Sequence, residues 1–281
     1  MMRKLIKLTI AGVMMFSITA VSYAAPKKST PVILKMNNYY VAYTYPKEPY
    51  VDKQNRLILP LRSVSELLGA AVSYNNQTKT AEIKEGENIV QIQAGNKTAK
   101  VNGQNVEMDT KAVVEKGFLL VPARILFDSF SFKVTNENNV ITLNDERLLK
   151  QGKLKYLSDD DRVGIARTAD PNAFQPIEIS YNVFVKNKVS LIDLTVTAKN
   201  STGKDIPEGQ EDLHTIVYFE HSSVMDADDS TVDIKDRPRP AVKKDAIIKK
   251  QLNAGGGTII QPNELQYILI AGRTFKPLNE R

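Results

Sequence analysis

Residues 56–74 read RLILPLRSVSELLGAAVSY, and residues 117–134 answer with GFLLVPARILFDSFSFKV. Set in register, Leu59-Pro60-Leu61-Arg62 falls on Val121-Pro122-Ala123-Arg124, Val64 on Leu126, Leu68 on Phe130 and Val72 on Val134. A two-residue deletion then brings Ile83 onto Leu143, and upstream KMNNYYV from Lys35 resembles KVNGQNV from Lys100. Self-similarity at a fixed spacing marks a supersecondary unit used more than once. The first half of the chain is therefore expected to hold two copies of one unit of about sixty residues.

The residues of one copy dictate its local structure. Leu57-Ile58-Leu59 is a short apolar strand. Pro60 follows, and proline suits the first turn of a helix because the N–H it lacks would have no partner there. Leu61, Val64 and Leu68 recur at spacings of three and four, the apolar face of a two-turn helix. Gly69 stands where that helix must stop, since glycine takes the left-handed stop conformation at least cost. The stretch AVSYNNQTKTAEIK, residues 71–84, reads as strand, polar turn at Asn75 to Thr78, and strand. In the second copy Ser131 replaces the stopping glycine, so a looser helix end is expected. One copy has too little apolar surface to fold alone. Two sharing a core give an α+β domain of two β-rich repeats, each with a short helix, expected over residues 32–145.

A strand, then LPLR or VPAR, then a short helix and VSYNNQTKTAEI resembles the copper amine oxidase N-terminal-like domain, also called the stalk domain. KVNGQNVEMDTKAVVEKGFLLVPAR, residues 100–124, is similar to the linking segment of that family. The resemblance departs at Tyr39 to Tyr50, where YYVAYTYPKEPY replaces a shorter polar stretch. It implies a non-catalytic appendage of exported bacterial proteins rather than an oxidase. The oxidases bind copper with three histidines and make a quinone from a tyrosine in an Asn-Tyr-Asp/Glu setting. This chain has two histidines, His214 and His221, both outside the matching region, and Asn38-Tyr39 is followed by Tyr40. No catalytic residue, metal ligand or cofactor is expected on these grounds.

Two features of the first half carry competing readings. Arg62 and Arg124, related by the repeat, are either a pair of anion-binding guanidiniums or helix-start residues whose stems pack on the sheet and whose tips bond locally. Tyr39, Tyr40, Tyr43, Tyr45 and Tyr50 are five of the eleven tyrosines within twelve residues. Tyrosine faces supply rigid contact area for sugars or peptides, which makes the cluster a candidate binding surface. Tyrosine is equally a good strand residue, so strand packing is the other reading.

The second half changes character. ERLLKQGKLKYLSDD, residues 146–160, reads as a short helix or a linker. Beyond it IEISYNVFV from Ile177 and SLIDLTVTAKN from Ser190 alternate apolar and polar residues, and HTIVYFEHS from His214 and ELQYILIAGRTF from Glu264 add further strands. NSTGKD and NAGGGT read as turns between them. An all-β sandwich over residues 161–281 is expected, and LIDLTVTAKNSTGKDI resembles a strand and turn of exported bacterial immunoglobulin-like domains. Residues 226–250 form a long polar excursion from acidic to basic, with Asp226, Asp228, Asp229, Asp233 and Asp236 followed by Lys235, Arg237, Arg239, Lys243, Lys244, Lys249 and Lys250. It is a candidate charged contact loop, the alternative being a solvated loop. The aspartates lack the glycine and distal glutamate of a calcium-binding helix–loop–helix. His214 and His221 lie seven apart, hence on opposite faces of one strand, and do not make a ligand pair.

Composition narrows the function. Arg3, Lys4 and Lys7 precede a run from Leu8 to Val21 that is apolar apart from Thr9, Ser17 and Thr19, and Ser22 and Ala24 are small. This reads as a signal peptide over residues 1–24 cut between Ala24 and Ala25, the alternative being an uncleaved anchor. With no cysteine in the chain, disulfides, thiolate metal sites and lipoprotein anchoring are excluded. Basic residues number 17 against 13 acidic over residues 25–150, and 18 against 19 over 151–281. Neither half has the basic balance of a nucleic-acid binder. The expectation is an exported, non-catalytic cell-envelope protein, secreted and associated with the wall, binding a wall polymer or an envelope protein. The rival is an exported hydrolase or metal-dependent enzyme with its site in the C-terminal domain or between the domains.

Overall fold

The computed structural model describes residues 29–186, 189–220, 222–225, 239–256 and 264–276. Four short strands open it: β1 (Ser29–Pro31), β2 (Leu34–Met36), β3 (Tyr39–Thr44) and β4 (Tyr50–Val51). Next come β5 (Leu57–Pro60), helix α1 (Leu61–Leu67), and a hairpin of β6 (Ala71–Asn75) and β7 (Thr80–Glu85). The strand, the proline at the helix start and the hairpin all fall where the sequence places them. Strands β8 (Asn88–Gln93), β9 (Thr98–Val101) and β10 (Gln104–Glu107) extend the hairpin into a five-stranded antiparallel sheet, order β10-β9-β8-β7-β6.

The order strand, helix, hairpin then recurs. After β11 (Val113–Glu115) come β12 (Phe118–Pro122), α2 (Arg124–Ser129), β13 (Val134–Glu137) and β14 (Val140–Leu143). Strands β5 and β12 pair antiparallel with Leu59 opposite Val121, in a sheet of order β11-β12-β5-β4. Gly69 takes φ +83° after α1, and Ser131 takes φ +55° after α2. The expected looser end on α2 is thus replaced by the same left-handed stop, which serine adopts at a steric cost that glycine does not incur. Asn37 and Asn102, equivalent in the sequence register, both turn their hairpins at positive φ, 50° and 49°.

Residues 146–160 are helical and packed. A 3-10 turn (Glu146–Leu149) leads into α3 (Gly152–Asp160) and α4 (Arg162–Arg167). Leu148 and Leu154 are fully buried among apolar side chains of the first half. Helix α3 starts against the end of α1: a Cβ on Gly152 would lie 2.5 Å from the Gly69 Cα and 2.8 Å from the Glu66 carbonyl oxygen. Two facing glycines are what permit that approach.

The remaining strands are β15 (Thr168–Asp170), β16 (Phe174–Lys186), β17 (Val189–Asn200), β18 (Glu211–Phe219), β19 (Ser222–Met225), β20 (Ile247–Gly256) and β21 (Leu265–Phe275). Strand β17 buries Ile192, Leu194, Val196 and Ala198 on one face, the alternation read from the sequence. Strand β20 corrects two expectations. Lys249 and Lys250 belong to a strand and not to a loop, and Asn253 to Gly256 continue that strand, because both pair with β17 throughout.

Two sheets draw strands from both halves of the chain. One has the order β1-β16-β17-β20, and the larger has the order β13-β14-β2-β3-β21-β18-β19, with β15 also on β21. The larger sheet is covered on both faces. Tyr39, Val41, Ile216, Tyr267, Leu269 and Ala271 face a core shared with α1 and α2. Tyr40, Ala42, Tyr43, Val217, Ile268 and Ile270 face a second core closed by Ile179, Ile192, Leu194 and Val196 of the smaller sheet. The two segments expected as separate domains therefore share a sheet and a core.

Candidate functional site

The tyrosine strand does not form a surface. Tyr39, Tyr40 and Tyr43 are buried, at 2%, 5% and 7% exposure, and Tyr45 and Tyr50 are half-buried. Strand β3 lies inside the larger sheet between β2 and β21, and a register shift at Ile268/Leu269 sends Ala42 and Tyr43 to the same core. The run is buried on both faces, a pattern that periodicity alone does not separate from a half-exposed one when the residues are amphipathic. Burial pushes the Tyr40 hydroxyl pKa up to about 12. The Lys35 ammonium lies 4.7 Å from the Tyr40 ring centre, and its own pKa is pushed down by burial against the opposing pull of Asp170. Tyr43 packs edge-on to Tyr181 at 5.5 Å, and Tyr181 donates to Glu48 Oε1 at 2.7 Å.

The Tyr39 hydroxyl reaches a buried ionic cluster. It donates to Asp161 Oδ2 at 2.9 Å. Arg273 on β21 grips Asp161 with both terminal nitrogens, at 2.6 and 2.8 Å, and donates through Nε to Asp212 Oδ2 at 2.5 Å. Burial opposes the guanidinium charge, but the bonds and fields of the two aspartates outweigh it and raise the Arg273 pKa. His214, the neighbour of Asp212 but one on β18, is buried with Nε2 at 3.7 Å from Asp161 Oδ1 and without a hydrogen bond. A Cβ on Gly164 would overlap Arg273 Nη2, so α4 passes directly over the cluster. With every carboxylate engaged by one arginine, this arrangement ties α3, α4, β3, β18 and β21 together. Among the described residues no group of three or more histidines and carboxylates is placed to hold a metal ion.

An open cleft of about 410 Å³ lies instead where α1 and the β11–β12 hairpin meet the end of the larger sheet. Tyr45 stands in it, its ring 5.0 Å from that of Phe118 at an interplanar angle of 88°. The two rings make an open corner. Arg62, Glu66, Tyr74, Glu220 and Glu264 complete its polar rim. The Tyr45 hydroxyl pKa is raised by partial burial, then by its hydrogen bond to Glu264 and by the charges of Glu264 and Glu220. Glu220 and Glu264 are neighbours across β18 and β21, with Glu220 N donating to the Glu264 carbonyl at 3.0 Å. Glu66 accepts a hydrogen bond from the Tyr267 hydroxyl at 3.2 Å. The Ser63 hydroxyl donates to the Tyr45 carbonyl at 2.5 Å and fixes the backbone that presents the ring.

Of the other expected contacts, Arg124 is exposed and bonds Asp109 Oδ1 at 3.2 Å, the local role, while Arg62 reaches the cleft. Tyr50 lies under the Lys47 ammonium, 4.4 Å from its ring centre. Arg239 is 8% exposed and stacks 4.8 Å from the Phe275 ring, so it belongs to the interior and not to a contact loop. Lys243 and Lys244 are exposed, both engaging Asp205. Asp226, Asp228, Asp229, Asp233, Lys235, Asp236, Arg237, His221 and the Ala24/Ala25 junction lie outside the described residues. Glu66, Phe118, Glu220 and Glu264 are the site residues that sequence reasoning missed. Nothing in their local sequence marks them, because the cleft joins residues some two hundred positions apart.

Built this way, the described chain is a β-rich fold with short helices, and the cleft beside Tyr45 is lined by residues of both its parts. Residues 35–144 match the family described as the copper amine oxidase N-terminal domain, a non-catalytic stalk domain. No curated protein matches the chain.

Proposed function

We propose that the protein is exported and acts at the cell envelope as a non-catalytic binding or scaffolding module, with the cleft beside Tyr45 as its contact site. In this reading the stalk-type part consists of two copies of a strand–helix–hairpin unit. The second part is an immunoglobulin-like sandwich whose larger sheet is extended by β2, β3, β13 and β14 of the first and whose smaller sheet takes up β1. The observation that carries the proposal is the aromatic corner of Tyr45 and Phe118 in a cleft of about 410 Å³, a size common for ligand sites. The charged N-terminal stretch and the apolar run after it support the compartment.

The test is co-sedimentation of the purified protein with purified cell wall, beside a Tyr45→Ala/Phe118→Ala double variant. Wild type should pellet with the wall and the variant should stay in solution. Equal pelleting of both removes the cleft from the reading. The rival hydrolase reading draws on Glu66, Glu220 and Glu264 around the same cleft. Release of soluble wall fragments by wild type, lost in Glu264→Gln, would establish it instead.

A further inference from the structure

We propose that the cleft recognises a primary ammonium group presented by an extended peptide, that is, a lysyl side chain; this rests on the binding-module reading above. Three observations lead there. The first is the corner itself. Aromatic faces attract cations through their quadrupole, and this molecule repeatedly seats an ammonium over a tyrosine: Lys35 on Tyr40 at 4.7 Å, Lys47 on Tyr50 at 4.4 Å and Lys153 on Tyr218 at 4.8 Å. At Tyr45 the ring is half-buried, and Phe118 stands at a right angle beside it.

The second observation is charge. Among the described residues that line the cleft, Glu66, Glu220 and Glu264 are acidic and Arg62 is basic. Glu264 lines the cleft together with Tyr45, and a carboxylate has acceptor sites for more than one donor. An ammonium with its stem against the two rings places its N–H groups beside acceptors and adds a charge–charge attraction that the hydroxyls of a neutral sugar lack.

The third observation is the pair of strand edges at the cleft. Strand β6, which carries Val72 and Tyr74, is the outermost strand of its sheet, and β11, which carries Val114, is the outermost strand of another. Edge strands present unpaired N–H and C=O groups to which an extended peptide adds by main-chain hydrogen bonds. A peptide main chain along one edge would deliver its side chain into the aromatic corner.

The experiment is calorimetric titration of the full protein with acetyl-Ala-Ala-Lys-Ala-Ala-amide, its Nε-acetyl-lysine counterpart, and chitotetraose. The lysine peptide should bind, and Nε-acetylation or Glu264→Gln should each weaken it about tenfold or more, the scale of a charge-assisted hydrogen bond. Arg62→Gln should strengthen binding, an effect that no unfolding artefact produces. Equal binding of both peptides overturns the inference, as does tighter binding by chitotetraose or an Arg62→Gln variant that binds less well. If the lysine peptide fails while wild type still pellets with cell wall through Tyr45 and Phe118, the ligand class is wrong and the binding-module reading stands. If neither occurs, both fall.

Discussion

Replacing Arg273 by methionine tests whether the buried cluster is the clamp its geometry describes. Arg273 is 3% exposed, Asp161 3% and Asp212 2%. The guanidinium supplies three hydrogen bonds between 2.5 and 2.8 Å to two carboxylates that water does not reach. Arg273→Met keeps the stem beside Phe275 but leaves both carboxylates uncompensated, a change that costs about 3–5 kcal/mol. In a chain of this size one kcal/mol moves the melting temperature by about 2–4 °C, so a fall on the order of 10 °C is expected. Circular dichroism melts and urea titrations at pH 7 measure it. The triple variant Arg273→Met/Asp161→Leu/Asp212→Leu should recover most of the loss, since removing a whole buried ion group is far milder than removing one member. A single variant that loses less than about 1 kcal/mol, or a triple variant no better than the single, would refute the reasoning.

Two further outcomes follow from geometry. Gly152→Ala should destabilise by several kcal/mol, since the residue sits at φ +74° and its Cβ would meet the Gly69 backbone at 2.5 Å; thermal melts show it, and Gly203→Ala, at the same φ of +74° but with open space around it, should lose far less. Asp145 is held below its ordinary pKa of 3.8, first by its side-chain bond to Arg147, then by the Arg147 backbone N–H and charge, against burial. Its contribution is therefore present above pH 3.8 and lost as pH falls through the depressed value. Urea midpoints of wild type and Asp145→Asn should differ at pH 7 and converge well below pH 3.8; a gap that persists in acid contradicts the pairing.

How much could be read in advance follows from what each feature depends on. The strand–proline–helix–hairpin order is local: Pro60 sets the helix start, Gly69 the stop, and the alternation of Ile192, Leu194 and Val196 one face of β17. All of these were legible. The fate of the tyrosines was not, because it depends on which strand lies beside β3, and the partner β21 is not adjacent in sequence. Arg273 and Asp161 looked like any charged pair in a chain rich in them until the fold brought them within 2.6 Å. The cleft was hidden for the same reason. Tyr45 was a visible candidate, but its acidic neighbours Glu220 and Glu264 come from the far end of the described chain.

The pairing of β3 with β21 also sets an order of events. β3 ends at Thr44 and β21 begins at Leu265, so the tyrosine strand is made more than two hundred residues before the strand that covers its edge. Contacts of that separation form late, after a large loop has closed. Until then Tyr39, Tyr40 and Tyr43 present an unpaired, aromatic edge to whatever surrounds the nascent chain. A chain shortened before Leu265 would therefore keep all of residues 35–144, the part that matches the stalk-domain family, and still expose the strand edge that β21 covers in the finished molecule.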